Sequence, residues 1–188
     1  MFNTGRPLSG FLPILKELGL DREGCYAIAF NGGLIYDCAA QKIAAPPHDS
    51  ARICTRHFAK KSQEAGLYCH TYSDTSLLCR HAGEETRIYT QAIHIPVVED
   101  PLLPEHLAKE PCKMIVIDLH DRAKMDAYRA AMEPWAKGKI SMFYSSPHYL
   151  EHVPEHVSKG HAVKNSASFF RFRLPTPWLP EIRKMIFR

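Results

Sequence analysis

The sequence lacks long apolar segments and concentrated charge. None of its apolar runs approaches the length that crosses a bilayer, and its N-terminus lacks the basic-then-apolar pattern of a signal peptide. Its 24 lysine and arginine residues are spread along 188 residues, and the formal net charge is only +4. These absences predict a cytoplasmic protein that binds neither membranes nor nucleic acid.

Metal-binding patterns are missing as well. None of the eleven histidines belongs to a zinc-binding HExxH motif, so we predict no metal site made from histidine. The six cysteines lie singly, which excludes a zinc framework and a thioredoxin-type pair, and we expect reduced, partly buried thiols. The cysteines are Cys25, Cys38, Cys54, Cys69, Cys79 and Cys112.

The first motif of the chain is Thr4-Gly5-Arg6-Pro7, which precedes apolar residues at helical spacing. Glycine permits a tight turn and proline suits the first helical position, so the motif predicts a loop that leads into a helix N-terminus. Free N–H groups there attract anions, and the Thr4 hydroxyl and Arg6 guanidinium would suit a phosphate oxygen. The alternative is that Thr4 only caps the helix and that Arg6 is solvated.

A second motif follows a short apolar run at residues 25–30, which predicts a buried strand. The run ends at Asn31-Gly32-Gly33, and a strand that stops at a polar residue and glycines commonly brings bare backbone close to a ligand. Asn-Gly is also the strongest signal for a two-residue hairpin turn, with residues 34–37 as its second strand. The residues alone leave these two interpretations equally open.

A third motif, Ser158-Lys159-Gly160, lies near the C-terminus and leads into residues 161–164. A lysine beside a glycine at the mouth of a helix can serve as a point cation for phosphate. The alternative is an ordinary helix cap followed by a surface charge.

The residues between the second and third motifs alternate between strand and helix patterns. They predict a sheet with helices laid on it, with hairpins and at least one β-α-β unit, large enough to be a domain by itself. Residues 73–94 resist assignment apart from a short helix, and residues 96–98 predict a proline-bounded linker. The predicted strands are 34–36, 42–45, 67–72, 113–118, 140–144 and 149–153. The predicted helices are 49–65, a short one within 86–95, and 121–132. Asp49 or Ser50 is the predicted cap of the first and Gly66 its terminator, and Asp121 is predicted to begin the last.

The three motifs follow one another along the chain, and a domain of strands and helices lies between the second motif and the third. With Ser146–Glu151 leading into the third motif, the combination resembles the Cof-type branch of the haloacid dehalogenase superfamily from about Thr4 to Lys164. The resemblance implies an α/β fold in which a large α/β cap domain, a mixed sheet with helices on it, is inserted into a partial Rossmann-like core. It assigns residues 1–35 to the partial core, residues 36–153 to the cap, and residues 154–188 to a partial return of the core followed by a tail outside the family.

The resemblance also implies a function. Most members of this branch are Mg²⁺-dependent phosphatases of sugar phosphates and related small phosphorylated metabolites. Thr4 matches the threonine whose hydroxyl binds the substrate phosphate, and Lys159 matches the lysine that steadies the nucleophile and the phosphoryl group, so both are predicted catalytic residues. The predicted substrate-binding residues are Gly5, Arg6, Asn31, Gly32 and Glu151.

Two motifs of the family are missing from the sequence. Nothing matches Asp-x-Asp-Gly-Thr, whose first aspartate is the nucleophile, or the acidic motif Gly-Asp-x-x-Asn-Asp that helps to hold Mg²⁺. Residues 165–188 form a basic tail with several prolines, unlike the family, and a segment that contacts a membrane or a partner is one alternative for it. We therefore expect a truncated chain that lacks ligands for Mg²⁺ and is catalytically inactive alone.

Two further expectations concern partners. The non-catalytic alternative is a cap module that folds independently and binds a small phosphorylated ligand or a protein. Apolar core residues without strands to pack on would be exposed and would favour self-association. The residues expected to be exposed in this way are Leu12, Leu15, Phe169 and Trp178.

Overall fold

The structure, a computed structural model, describes residues 2–45 and 55–163. These residues form two compact units. Unit 1 takes the described residues of Met1–Asp49 and His156–Arg188, and unit 2 takes those of Ser50–Glu155. Residues 36–45 therefore belong to unit 1 by their contacts, whereas the resemblance assigned them to the cap.

Unit 1 is built on a mixed sheet. Its elements are, in chain order, β1 (Phe2–Asn3), α1 (Leu12–Glu17), β2 (Tyr26–Ala29), β3 (Leu34–Asp37) and β4 (Lys42–Ala45). The strand order is β1-β2-β3-β4, in which β1 and β2 run parallel and the other neighbours are antiparallel. Ile28 and Ile35 are cross-strand partners, and they pack against Ala162 of the helical residues 159–163.

The first helical segment corrects one expectation. A 3-10 turn at Leu8–Gly10 precedes α1, and Leu15 is only 3% exposed, so the prediction that Leu15 is exposed was wrong. Phe11 and Leu15 are four residues apart and therefore lie on the same helical face, which is buried. Leu12 is exposed as expected, while Phe169 and Trp178 lie outside the described residues.

Unit 2 is built on a six-stranded sheet. Its elements are, in chain order, α2 (Thr55–Glu64), β5 (Tyr68–Tyr72), β6 (Leu77–Cys79), α3 (Glu84–Ala92), β7 (Val97–Glu99), β8 (Met114–Ile117), α4 (Arg122–Ala136), β9 (Ile140–Ser146) and β10 (Tyr149–Pro154). The strand order is β7-β6-β5-β8-β10-β9. The parallel strands β6 and β7 are joined through α3 in a β-α-β unit whose strands were not predicted, and the other neighbours are antiparallel.

One face of this sheet is covered by α2 and α4. Phe58 of α2 and Met125 of α4 pack in one buried cluster with Met114, Val116 and Leu150 of the sheet. Val116 and Leu150 are register partners, so their side chains share a face. The main core of unit 2 lies on this face of the sheet.

The ends of the two covering helices show the predicted signals. Gly66, the predicted terminator of α2, has φ of +65°, and Leu67 N–H donates to the Ser62 carbonyl oxygen at 2.8 Å. The Asp121 carboxylate accepts a hydrogen bond from Lys124 N–H at 2.9 Å and caps α4. The caps predicted for α2, Asp49 and Ser50, lie outside the described residues.

Strand β7 corrects the linker predicted at residues 96–98. Its Val97 is paired in parallel with Leu77 of β6, and Leu77 N–H donates to the Pro96 carbonyl oxygen at 2.9 Å. A proline is tolerated there because β7 is an edge strand and Pro96 stands just before it. In the described ranges, 2–45 and 55–163, no helix is long and apolar enough to cross a membrane.

Candidate functional site

The first motif forms a turn at the carboxyl end of β1. Thr4 N–H donates to the Ile28 carbonyl oxygen at 2.9 Å, and the Thr4 hydroxyl accepts a hydrogen bond from Arg6 N–H at 3.1 Å. Pro7 precedes the 3-10 turn, so the alternative that Thr4 caps the helix was wrong, while Arg6 is exposed as that alternative expected. Accepting one hydrogen bond leaves the hydroxyl proton as a separate donor.

The second motif lies beside the first. Because β1 and β2 are parallel, with Asn3 opposite Ile28, they end at the same edge of the sheet. Phe30 N–H donates to the Arg6 carbonyl oxygen at 3.1 Å, and Asn31 N–H donates to the Thr4 carbonyl oxygen at 3.2 Å. Main-chain hydrogen bonds therefore join two motifs that are distant in sequence.

The loop at residues 30–33 connects β2 to β3. Ala29 and Leu34 are antiparallel partners, which confirms the hairpin interpretation, although the connection is longer than a two-residue turn. Asn31 has φ of +58° and Gly32 has φ of +109°, and glycine is the residue that adopts the second value readily. The same loop lies at the edge of the sheet where β1 ends. The other interpretation, that its backbone approaches a ligand, stays a prediction.

Two glycines permit close approach between the motifs. A Cβ on Gly5 would lie 2.5 Å from Asn31 Oδ1. A Cβ on Gly32 would collide with the Ser158 carbonyl oxygen and lie 2.8 Å from its carbonyl carbon. Backbone cannot move aside as a side chain can, so Gly32 is the stricter requirement.

The third motif begins a helix next to the other two. The Ser158 hydroxyl accepts a hydrogen bond from His161 N–H at 3.1 Å, which confirms the helix-cap interpretation. The Asn3 amide donates to the Lys159 carbonyl oxygen at 3.3 Å, and Gly32 lies against Ser158. Unit 1 thus holds all three motifs together at the end of β1.

The chemistry of this cluster is that of an anion site. It offers the Thr4 hydroxyl and the positive charges of Arg6 and Lys159, and both of these charged side chains are exposed. A guanidinium and an ammonium both form charge-assisted hydrogen bonds with a phosphate oxygen. The three motifs contain no carboxylate, so they supply binding groups without the acidic nucleophile that the family uses.

The remaining predicted residue, Glu151, belongs to unit 2. Its Oε2 atom lies 3.3 Å from Lys113 Nζ, and the two side chains are only 9% and 3% exposed. Unit 2 therefore holds this carboxylate in a buried ion pair. Its predicted contact with substrate stays a prediction.

A buried polar cluster in the same unit was missed by the sequence analysis. His70, Ile115 and Glu151 are register partners in adjacent strands and share one face of the sheet. His70 Nε2 lies 3.0 Å from the Tyr72 hydroxyl, which is hydrogen-bonded to the Tyr89 hydroxyl. Burial, and then the Lys113 charge, lowers the pKa of His70 to about 3, so the ring is neutral at pH 7. The period-two spacing of His70 and Tyr72 was the available signal.

Comparison with known proteins identifies the family. The haloacid dehalogenase-like hydrolase family matches residues 1–175. The chain belongs to this family. The chain is 30% identical, over 168 residues, to a protein of Streptococcus pyogenes serotype M6 that is named as a phosphatase. That match covers 87% of this chain and 60% of the relative, and the chain spans about 60% of each of two curated relatives.

Solved structures share the fold of this chain. A haloacid dehalogenase-like hydrolase from Bacteroides thetaiotaomicron superposes with a TM-score of 0.78 at 18% identity, over 89% of this chain and 62% of that one. A subclass IIB sugar phosphatase superposes with a TM-score of 0.65 at 16% identity, over 92% of this chain and 62% of that one. Both the predicted α/β fold and the predicted resemblance are confirmed.

The described residues include no cluster of side chains that commonly ligate metals, although the family generally uses Mg²⁺. Within residues 2–45 and 55–163, no group of three or more His, Cys, Asp or Glu side chains could hold a metal ion. In unit 1, the Asp37 carboxylate accepts hydrogen bonds from Ala39 and Ala40 N–H at 3.1 and 2.9 Å and so closes a turn. Mg²⁺ is usually held by one or two carboxylates together with waters and phosphate oxygens, and the three motifs contain no carboxylate.

Proposed function

We propose that the chain binds the phosphoryl group of a sugar phosphate, or of a similar small phosphorylated metabolite, without hydrolysing the ester on its own. The proposal is carried by one observation, the joining of three donor-bearing motifs at the carboxyl end of β1. Family membership and the phosphatase name of the streptococcal relative support a phosphate ester as the ligand. The structural likeness to a sugar phosphatase supports the sugar.

In this proposal each side chain has a simple role. The Thr4 hydroxyl donates its proton to a phosphoryl oxygen, while its own position is fixed by the bond from Arg6 N–H. Arg6 and Lys159 supply positive charge against the dianionic ester. Gly5 and Gly32 hold the backbone of the three motifs close enough for these groups to act on one ligand.

The absence of hydrolysis rests on the chemistry of the reaction. Phosphoryl transfer in this family requires a carboxylate nucleophile and a divalent ion that neutralises developing charge. The sequence contains no Asp-x-Asp pair, and the three motifs offer no carboxylate to a magnesium ion. In our proposal Mg²⁺ is therefore a cofactor of the family and takes no part in what this chain does alone.

Binding is measured by ³¹P NMR of a hexose 6-phosphate titrated with the purified chain. We expect the phosphorus signal to broaden, and we expect Lys159→Met to weaken binding by about 10-fold or more, as loss of a charged hydrogen bond does. Thr4→Val should weaken it by roughly fivefold. Lys16→Met is the control because Lys16 is also an exposed lysine of unit 1, on α1. Equal binding by all variants would refute the site.

Turnover is measured separately, as phosphate released in the presence of Mg²⁺ from the same ester and from a chromogenic phosphate ester. We expect no release above the buffer blank. Robust release would contradict the proposed lack of hydrolysis. It would not affect the conclusion on phosphate binding, which the NMR titration tests separately.

A further inference from the structure

Cys25 and Cys38 face each other at the base of the hairpin that carries the second motif. The register of β2 and β3 pairs Tyr26 with Asp37, and the next pair outward is Cys25 with Cys38. Cys38 N–H donates to the Cys25 carbonyl oxygen at 3.0 Å, so the ladder continues to this pair. Direct partners in an antiparallel ladder have their side chains on one face, and the two thiols are therefore neighbours.

The spacing of this pair suits a disulfide under modest strain. Hydrogen-bonded antiparallel partners have Cα atoms about 5.5 Å apart, which is within the range that a disulfide spans. Their Cβ atoms lie about 5 Å apart, compared with roughly 3.8 Å in a disulfide, so the strands must approach slightly. Cys25 N–H donates to the Arg22 carbonyl oxygen at 3.1 Å, so one main-chain hydrogen bond joins the pair where a complete hydrogen-bonded pair has two.

The two thiols differ in how a solute reaches them. Cys38 is only 3% exposed, whereas Cys25 is partly exposed, and both are free in the structure. Burial, followed by the nearby Cys25, raises the pKa of Cys38 to about 11, which keeps it protonated at pH 7. Cys25 is therefore the residue that meets an oxidant first, and Cys38 is placed to react second.

We propose that Cys25 and Cys38 form a reversible disulfide when the protein meets a low-molecular-weight disulfide. The Cys25 thiolate attacks one sulfur of the oxidant, forms a mixed disulfide and releases one thiolate. Cys38 then loses its proton to solvent, and its thiolate attacks the Cys25 sulfur and releases the second thiolate. The protein loses two electrons and two protons, and the oxidant becomes two thiols.

The bond would close residues 25–38 into a loop that contains Asn31 and Gly32. It would fix the base of the hairpin, whose tip belongs to the candidate site. A strained cross-strand disulfide is also reduced readily, which makes the modification reversible. This inference does not depend on the proposed binding of phosphate esters.

The test begins with thiol counting. The purified full chain is incubated with oxidised glutathione, quenched in acid, denatured and titrated with a chromogenic thiol reagent. We expect the six thiols of the sequence to fall to four and dithiothreitol to restore six. Peptide mapping should link Cys25 to Cys38. Six remaining thiols, a stable count of five, or a link between other cysteines would each overturn the proposal.

Variants distinguish this pathway from random oxidation. Cys38→Ser should stop at a mixed disulfide between glutathione and Cys25, and Cys25→Ser should lose no thiol from its five. Cys112 is a partly exposed cysteine of unit 2, so Cys112→Ser is the matched control. This variant should lose two thiols, as the wild type does. Cys38→Ala repeats the trapping experiment if the serine variant does not fold. Loss of two thiols by Cys25→Ser would refute the proposal.

Discussion

Units 1 and 2 differ in where their polar side chains lie and in what holds them. In unit 1 the motifs are joined through the main chain and through close approach at Gly32, while the charged side chains are exposed. In unit 2 the polar side chains of His70, Lys113 and Glu151 are buried and contact other polar groups. A site made of backbone is sensitive to an added Cβ, whereas a buried side-chain network is sensitive to a lost partner or an added proton.

The largest expected effect is that of Lys113→Met in unit 2. This change leaves the buried Glu151 carboxylate without the cation 3.3 Å away, and removing one partner of a buried pair costs about 3–5 kcal/mol. Lys109→Met is the control, because Lys109 pairs with Asp74 at 2.8 Å on the surface and its loss costs less than about 1 kcal/mol. Amide hydrogen exchange of β8 measures both. Equal effects would remove the contrast between buried and exposed pairs.

The second effect, in unit 1, is that of Gly32→Ala. The combination of φ at +109° and a collision with the Ser158 backbone should destabilise unit 1 by about 3 kcal/mol. Gly19→Ala is the control that separates backbone strain from steric collision. Gly19 has φ of +62°, and a Cβ added there would meet nothing within 4 Å, so this change should cost about 1 kcal/mol. Hydrogen exchange of β2 reports on unit 1, and β8 should remain unchanged.

Acid should weaken unit 2 through its buried histidines. Burial lowers the pKa of both His70 and His152 to about 3. The unfolded chain binds more protons than the folded one between about pH 6.5 and 3, so stability falls as the pH decreases through this window. At pH 5 the loss is about 2 kcal/mol for each histidine.

A pH series of unfolding free energy measures this loss. His70→Gln should show about half of the acid dependence that arises from the two buried rings. His148→Gln changes an exposed ring and should leave the dependence unaltered. An unchanged pH profile in His70→Gln would show that the ring is not held neutral by burial.

The smallest expected effect is that of Asp121→Ala at the start of α4. The Asp121 carboxylate accepts a hydrogen bond from Lys124 N–H at 2.9 Å, and loss of such a cap costs about 1 kcal/mol. Asp121→Asn keeps an acceptor and should cost less than half as much. Thermal unfolding of the two variants gives this comparison.

The strands and helices of unit 2 show what a local pattern can predict. Residues 113–118 were predicted as a strand from their apolar, β-branched residues, and the structure has a strand at Met114–Ile117 in which every residue is buried. The start of α4 was predicted from Asp121 because capping is a local interaction. β6 and β7 have only three residues each, and their existence depends on pairing with each other and with β5, which no local pattern encodes.

The candidate site shows a similar division. The order of the three motifs indicated the family, and the family match confirms it. The contact between Gly32 and Ser158 and the ion pair between Lys113 and Glu151 join residues far apart in the chain. Such contacts require the register of the sheets and the return of the chain, so spacing along the sequence could not reveal them.

The contact between Gly32 and Ser158 also sets an order of events during synthesis. Both residues belong to unit 1, yet all of unit 2 lies between them along the chain. A ribosome makes the chain from its N-terminus, so β1 to β4 emerge long before Ser158 exists. In that interval the loop at residues 30–33 is supported only by the first part of unit 1. The three motifs first come together after the ribosome has finished unit 2.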